Sequence, residues 1–311
     1  MAVINLVIAK KIPDTALPLT DNEAAMTTPS VFVSAQWLAQ HLSDEDIQIL
    51  DARMLAPGLE KTRDVHAEYL AAHLPGAPFF DIEALSDHTS PYPHMMPRAG
   101  RFAAAMRELG ISSAKHLVVY DEGNLFSAPR AWWMLRYFGV DRVSILAGGL
   151  AGWQQAQLPL VSGAVDVAEA EFVVGPGWGE IKRVTDVLLV SHEGGAQIVD
   201  ARAANRFHGE VDEPRPGLNR GRIPGSLNVA WNTLVSEGRL KSADELRAIF
   251  HHQGVDLSQP VIASCGSGVT AVVVILALTS LGVNNVALYD GSWGEWGSRN
   301  DLPTINDALS A

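Results

Sequence analysis

Val261-Ile262-Ala263-Ser264-Cys265-Gly266-Ser267-Gly268-Val269-Thr270 runs straight into Ala271-Val272-Val273-Val274-Ile275-Leu276-Ala277-Leu278. A short apolar run, two glycines around a serine and a longer apolar run read as buried strand, tight turn and helix. The residue at the turn is the chain's single cysteine. A thiol there faces the N-terminal end of the helix and the backbone N–H groups of the turn. Both favour negative charge on sulfur, and the thiolate is the nucleophilic form. The competing reading is a buried structural cysteine, because unpaired cysteine is among the most buried residue types. The strand–loop–helix setting with its two glycines favours the reactive thiol.

Outward from this loop, the chain repeats itself. Leu50-Asp51-Ala52-Arg53 recurs as Val199-Asp200-Ala201-Arg202, and at the same interval His73-Leu74-Pro75-Gly76-Ala77 recurs as Arg222-Ile223-Pro224-Gly225-Ser226. Leu117-Val118-Val119-Tyr120-Asp121 answers Val261 to Cys265. Gly148-Gly149 before Trp153 pairs with Asp290-Gly291 before Trp296, and Leu158-Pro159 with Leu302-Pro303. Landmarks that recur in one order mean a duplicated domain. Each half alternates strand and helix: Ile47–Asp51, Phe102–Leu109, Leu117–Tyr120, Ala131–Phe138 and Val143–Leu146, then Gln197–Asp200, Ala243–Phe250, Val261–Ser264, Val269–Leu281 and Val286–Tyr289. The fold class is therefore α/β, two tandem domains, each a parallel sheet covered by helices on both faces. The expected division is an N-terminal extension over 1–30, a non-catalytic domain over 31–160, a linker over 161–182 and a catalytic domain over 183–311. Gly163, Gly175, Pro176, Gly177 and Gly179 punctuate the linker. The extension is expected to be disordered, with Met26 as an alternative start.

A length of 311 residues fits two cores of ordinary size. The formal net charge of −12 argues against nucleic acid or an acidic membrane surface as a partner. An anionic substrate then needs a local basic pocket. One cysteine excludes an intrachain disulfide and a multi-cysteine metal site, and suits a reducing compartment, so a cytoplasmic location is expected. No apolar run reaches the roughly 18 residues of a membrane span. The apolar start is followed, not preceded, by Lys10-Lys11, which is the wrong order for a secretory leader.

In open parallel sheets ligands bind beyond the carboxyl ends of the strands, where Cys265 stands. Its counterpart in the first half is Asp121, which has no thiol chemistry, so one loop is active and one inert. Cysteine phosphatases carry Cys-x5-Arg, but the sixth residue after Cys265 is Ala271 and the loop has no arginine. A serine-hydrolase elbow fails too, since Gly266 and Gly268 flank Ser267 at the wrong spacing. His66, His73, His88, His94 and the pair His251-His252 show no metal-ligand spacing.

Asp-Ala-Arg, His-x-Pro-Gly-Ala, the cysteine-headed loop and Tyr289-Asp290-Gly291-Ser292-Trp293-Gly294-Glu295-Trp296-Gly297 together resemble the tandem-domain rhodaneses. The likeness runs over about residues 31–305, including Asp81 to Pro97 and Ser127-Ala128-Pro129-Arg130-Ala131-Trp132-Trp133. The loop Cys-Gly-Ser-Gly-Val-Thr is similar to that of members using 3-mercaptopyruvate. Members preferring thiosulfate carry basic residues there, as suits a dianion. The resemblance implies a sulfurtransferase in which Cys265 takes the sulfur of 3-mercaptopyruvate, releases pyruvate and holds a persulfide. Gly266, Ser267, Gly268, Val269 and Thr270 would cradle that persulfide with their amides. A thiol, cyanide or a reduced redox protein would accept the sulfur in a ping-pong cycle, with no metal or organic cofactor.

Arg206 and Arg215 match the family's substrate-binding arginines, whose forks suit a carboxylate and a carbonyl. Each could equally be an exposed loop arginine. Ser267 is expected to donate a hydrogen bond or relay a proton, with His73 and Asp64 reaching over from the first domain in a Ser–His–Asp arrangement. Asp51 competes with Asp64, and the slot His73 shares with Arg222 suggests a turn role instead. Asp51 and Asp200 read as loop-organising carboxylates, Trp293 and Trp296 as packing at the domain edge. Two alternatives stay open: a thiosulfate sulfurtransferase, and a non-catalytic sulfur carrier or interaction module. Paired arginines argue against the carrier, which need not grip a small carboxylate.

Overall fold

The computed structural model describes residues 31–309, and the expected extension over 1–30 lies outside them. In the first half, β1 (Phe32–Val33), β2 (Ile47–Asp51), β3 (His116–Tyr120) and β4 (Val143–Leu146) form a parallel sheet in the order β1-β4-β3-β2. Its helices are α1 (Ala35–Gln40), α2 (Val65–Ala71), α3 (Ile82–Leu85), α4 (Ala99–Glu108), α5 (Ala128–Tyr137) and α6 (Gly149–Gln155). In the second half, β5 (Ile181–Lys182), β6 (Gln197–Asp200), β7 (Leu227–Asn228), β10 (Val261–Ser264) and β11 (Val286–Tyr289) form a parallel sheet in the order β5-β11-β10-β6-β7. A hairpin, β8 (Val235–Ser236) and β9 (Arg239–Leu240), stands apart. The helices here are α7 (Val184–Glu193), α8 (Ala204–Phe207), α9 (Ala243–His252), α10 (Ala271–Ser280) and α11 (Ser292–Trp296).

The two sheets share one strand order, with β1, β4, β3 and β2 answering β5, β11, β10 and β6. Even small devices recur. The Nε of Arg53 and of Arg202 each donate to the preceding aspartate, and the indoles of Trp153 and Trp296 each donate to the carbonyl of Pro159 and Pro303. His73 pairs with Val161 across an antiparallel bridge as Arg222 pairs with Ile305. The central strands are buried along their whole length, which is why they read as unbroken apolar runs. The edge strands β1 and β5 are two residues each, too short to leave a periodic signal, and β5 falls in the stretch expected as linker.

The halves meet through helices. Helix α10 buries every residue from Ala271 to Leu278, and α5 every residue from Ala128 to Leu135. The two pack on each other, and one continuous apolar cluster runs through both sheets. A helix apolar on all sides is stable only when enclosed, at about 1.5–3 kcal/mol per buried Val, Leu or Ile. The enclosure of α10 thus fixes the loop at its N-terminus against the first half. No helix among the described residues is long and apolar enough to cross a membrane.

Candidate active site

Cys265 follows β10 and heads the loop into α10, at 2% exposure. Ser292 shapes that loop: its Oγ accepts the N–H of Cys265 at 3.0 Å and of Gly268 at 3.1 Å, and donates to the Tyr289 carbonyl. The carbonyls of Cys265 and Gly266 accept the N–H groups of Trp293 and Gly294 at 2.9 Å each. With its carbonyls tied back, the loop leaves several of its amides free for an anion. Among the described residues, the N–H groups of Gly266, Ser267, Val269 and Thr270 have no protein acceptor. Gly268 departs from the expected cradle, because its N–H is spent on Ser292. Its role is conformational: φ is +75°, and a Cβ would lie 2.8 Å from the Asp290 carbonyl oxygen.

The counterpart loop in the first half shows what such a turn binds. At Asp121 the carboxylate accepts the N–H groups of Gly123, Ser127 and Ala128 at 2.8–3.1 Å. Burial pushes this carboxyl upward, and those N–H groups oppose the shift.

The cavity over Cys265 has a volume of about 330 Å³ and is built by both halves: Met54, Pro57, Leu59, Arg63 and His94 from the first, Arg202, Arg206, Arg215, Trp231 and the Cys265 loop from the second. Arg206, on α8, is held by Glu213, whose carboxylate also takes Arg202 at 2.7 Å. A Cβ on Gly266 would lie 3.1 Å from the Arg206 Nη2, so the bare glycine lets the guanidinium come up to the loop. Arg215 differs, having no hydrogen-bond or ion-pair partner among the described residues. Burial pulls its guanidinium down from the usual arginine value, opposed by the nearby carboxylates of Glu83 and Glu213.

The histidine on Ser267 is His94, not His73. Its Nδ1 lies 2.8 Å from Ser267 Oγ, and its Nε2 2.7 Å from Glu83 Oε2. A carboxylate accepts only, so Nε2 carries the proton and Nδ1 accepts the serine hydroxyl. Burial holds the imidazole below the usual histidine value, with the Glu83 hydrogen bond opposing, while that bond lowers the Glu83 carboxyl. His73 is buried elsewhere: its ring stacks on Tyr69 at 4.3 Å and its Nδ1 donates to the Tyr69 carbonyl. Asp64 caps α2, accepting the N–H groups of His66 and Ala67. Neither lines the cavity. The reason is topological: the turn at His73 pairs with the segment leaving the sheet, while the loop after α3 crosses to the second half.

Asp51 and Asp200 are buried, each ion-paired to its own arginine at 2.7 Å. Trp293 lies under Arg202, 4.3 Å from ring centre to guanidinium carbon. Among the described residues no cluster of His, Cys, Asp or Glu could hold a metal ion.

A duplicated α/β sheet with one cysteine loop and one carboxylate loop is the architecture of a two-domain sulfur-handling protein, and the chain belongs to the rhodanese family: the rhodanese-like domain is matched twice, over residues 34–156 and 184–299. The 3-mercaptopyruvate sulfurtransferase of Escherichia coli K12 is 65% identical over 272 residues, covering 88% of this chain and 96% of that protein. The crystal structure of SseA from Escherichia coli, a 3-mercaptopyruvate sulfurtransferase, superposes with a TM-score of 0.80 at 63% identity, covering 85% of this chain and 99% of that one. The thiosulfate sulfurtransferase of Cricetulus griseus is 43% identical over 272 residues, covering 85% of this chain and 91% of that protein.

Proposed function

We propose that the chain is a sulfur-group transferase that moves the sulfur of 3-mercaptopyruvate, through a persulfide on Cys265, to a thiol, cyanide or a reduced redox protein. The Cys265 thiolate attacks the substrate sulfur, the S–C bond breaks, and its electron pair leaves on C3 as the enolate of pyruvate. The thiol proton of the substrate passes through Ser267 to His94 Nδ1, the one acceptor the imidazole offers, and returns to C3. Cysteine thiolate and mercaptopyruvate thus become cysteine persulfide anion and pyruvate with atoms and charge balanced. The amides of Gly266, Ser267, Val269 and Thr270 hold the persulfide anion, while Arg206 and Arg215 hold the carboxylate and ketone. Attack by the acceptor on the outer sulfur restores Cys265.

The observation carrying this reading is the Ser267–His94–Glu83 chain beside a loop with no basic residue. Thiosulfate has no thiol proton to move and leaves as sulfite, which needs none, so the chain suits mercaptopyruvate. We take residues 31–160 as the non-catalytic domain and 183–311 as the catalytic one, joined by 161–182. A cytoplasmic setting, which keeps a lone thiol reduced, fits this chemistry.

The test is kcat/KM for 3-mercaptopyruvate and for thiosulfate, with cyanide as common acceptor, in wild type and Cys265→Ser, alongside the mass of the loaded enzyme. The expected result is a preference for mercaptopyruvate, a one-sulfur mass increase on the wild type, and loss of both in the variant. A thiosulfate preference would overturn the substrate; full turnover by Cys265→Ser would overturn the mechanism.

A further inference from the structure

The relay is assembled from two domains, and one side chain that touches neither Ser267 nor Cys265 holds its parts together. Arg130, in the first turn of α5, is fully buried. Its Nη2 donates to the His94 carbonyl at 2.6 Å, and its Nη1 donates to the Gly268 carbonyl at 3.2 Å while lying 2.8 Å from Asp290 Oδ1. The other oxygen of Asp290 accepts the N–H of Met96 at 2.7 Å. One guanidinium and one carboxylate therefore grip both sides of the domain boundary on either flank of the His94–Ser267 hydrogen bond.

Both residues whose carbonyls Arg130 takes have left-handed backbone, His94 at φ +59° and Gly268 at φ +75°. For histidine that conformation costs free energy and persists only where surrounding contacts enforce it. The 2.6 Å hydrogen bond from Arg130 to the His94 carbonyl is such a contact. A neutral side chain could not replace it, since Asp290 is buried and needs a cation beside it. A lysine would meet the charge but lacks the planar fork that reaches two carbonyls at once.

We infer that Arg130, clamped by Asp290, is a positioning residue for the sulfur-transfer reaction: the non-catalytic domain uses it to hold His94 on Ser267. The inference rests on the sulfurtransferase reading and adds to it a residue that acts only through His94.

The test is a double-mutant cycle on Arg130→Lys and His94→Gln, read by stopped-flow as the rate constant of persulfide formation from 3-mercaptopyruvate. Each single variant is expected to lose about 100-fold, the cost of roughly an ångström of misplacement or of losing the base. The double variant is expected to lose no more than His94→Gln alone. Arg130→Lys is also expected to lose the acidic limb of the wild-type pH profile, which a merely structural role would leave in place. If the lysine variant does not fold, Asp290→Asn, which keeps an oxygen for Met96, carries the same expectation. Multiplicative losses, or an unaltered pH profile at a lowered rate, would overturn the assignment of Arg130. A wild type that forms no persulfide from mercaptopyruvate would overturn the reading beneath it, and that is seen before any variant is compared.

Discussion

Replacing Arg215 by methionine should make the protein a worse enzyme and a more stable one. Arg215 lines the cavity without a partner, and burial already pulls its guanidinium below the usual value. At neutral pH it is still charged, so the folded protein carries a desolvation cost, only partly offset by the nearby Glu83 and Glu213, that the unfolded chain does not. An isosteric apolar side chain removes that cost, worth about 1 kcal/mol at a partly solvated position, or about 2 °C in Tm. The same change removes a charged hydrogen bond to the substrate carboxylate, worth about 1.5–3 kcal/mol. At about 1.4 kcal/mol per decade this raises KM about 10- to 150-fold. Arg206→Met should differ in sign on stability: it strips one of two cations from the buried Glu213, leaving Arg202 alone, and should cost about 2 kcal/mol. Pyruvate release against substrate concentration gives KM, and calorimetry gives Tm. A lowered Tm in Arg215→Met, or a KM within twofold of wild type, would refute the argument that Arg215 is held unpaired for the substrate.

The two histidines separate cleanly. His94→Gln should lower kcat for mercaptopyruvate about 100-fold with a smaller effect on thiosulfate, whereas His73→Gln should leave both within about threefold in the folded enzyme; equal losses would send the relay back to an unknown base. For pH, burial holds His94 below the usual histidine value, so the folded state binds fewer protons than the unfolded state in that range. Stability should therefore rise with pH up to about 6.5 and fall as pH drops toward the depressed value, with kcat/KM falling along its acidic limb over the same window. A melting series in which His94→Gln keeps the full wild-type acid sensitivity would count against this.

The fold was legible because duplication wrote it twice: Asp51 and Asp200, Asp121 and Cys265 are local signals that each half repeats, and buried strands need little more than their own residues to be read. The cysteine loop was legible from its own flanking strand, glycines and helix, and Arg206 only through the resemblance to the family. His94 was not, because the role proposed for it rests on a hydrogen bond to Ser267, 173 residues away. Pattern and spacing end where the chain crosses from one domain to the other. His73 drew attention by sitting in a motif, and the motif turned out to serve a bridge to Val161. The available signal was the stretch from Asp81 to Pro97: a long segment with Pro91 and Pro93 and no helical or strand period after α3, the kind of ordered loop that carries function. Glu213 and Arg130 were hidden likewise, since a buried charge announces itself only through the partner that burial supplies.

The carboxylate of Asp121 gives the first domain a property the second lacks. It is tethered to the N–H groups it satisfies, so that domain is in effect a protein saturated with its own ligand, at an effective concentration no free anion could match. The loop at Cys265 has to acquire its outer sulfur anion by reaction, and whatever binds only the folded state adds to its stability. On that reading turnover doubles as a folding cycle: the enzyme is tightest when it carries sulfur and loosest just after it has given the sulfur away, while the half built around Asp121 stays locked throughout.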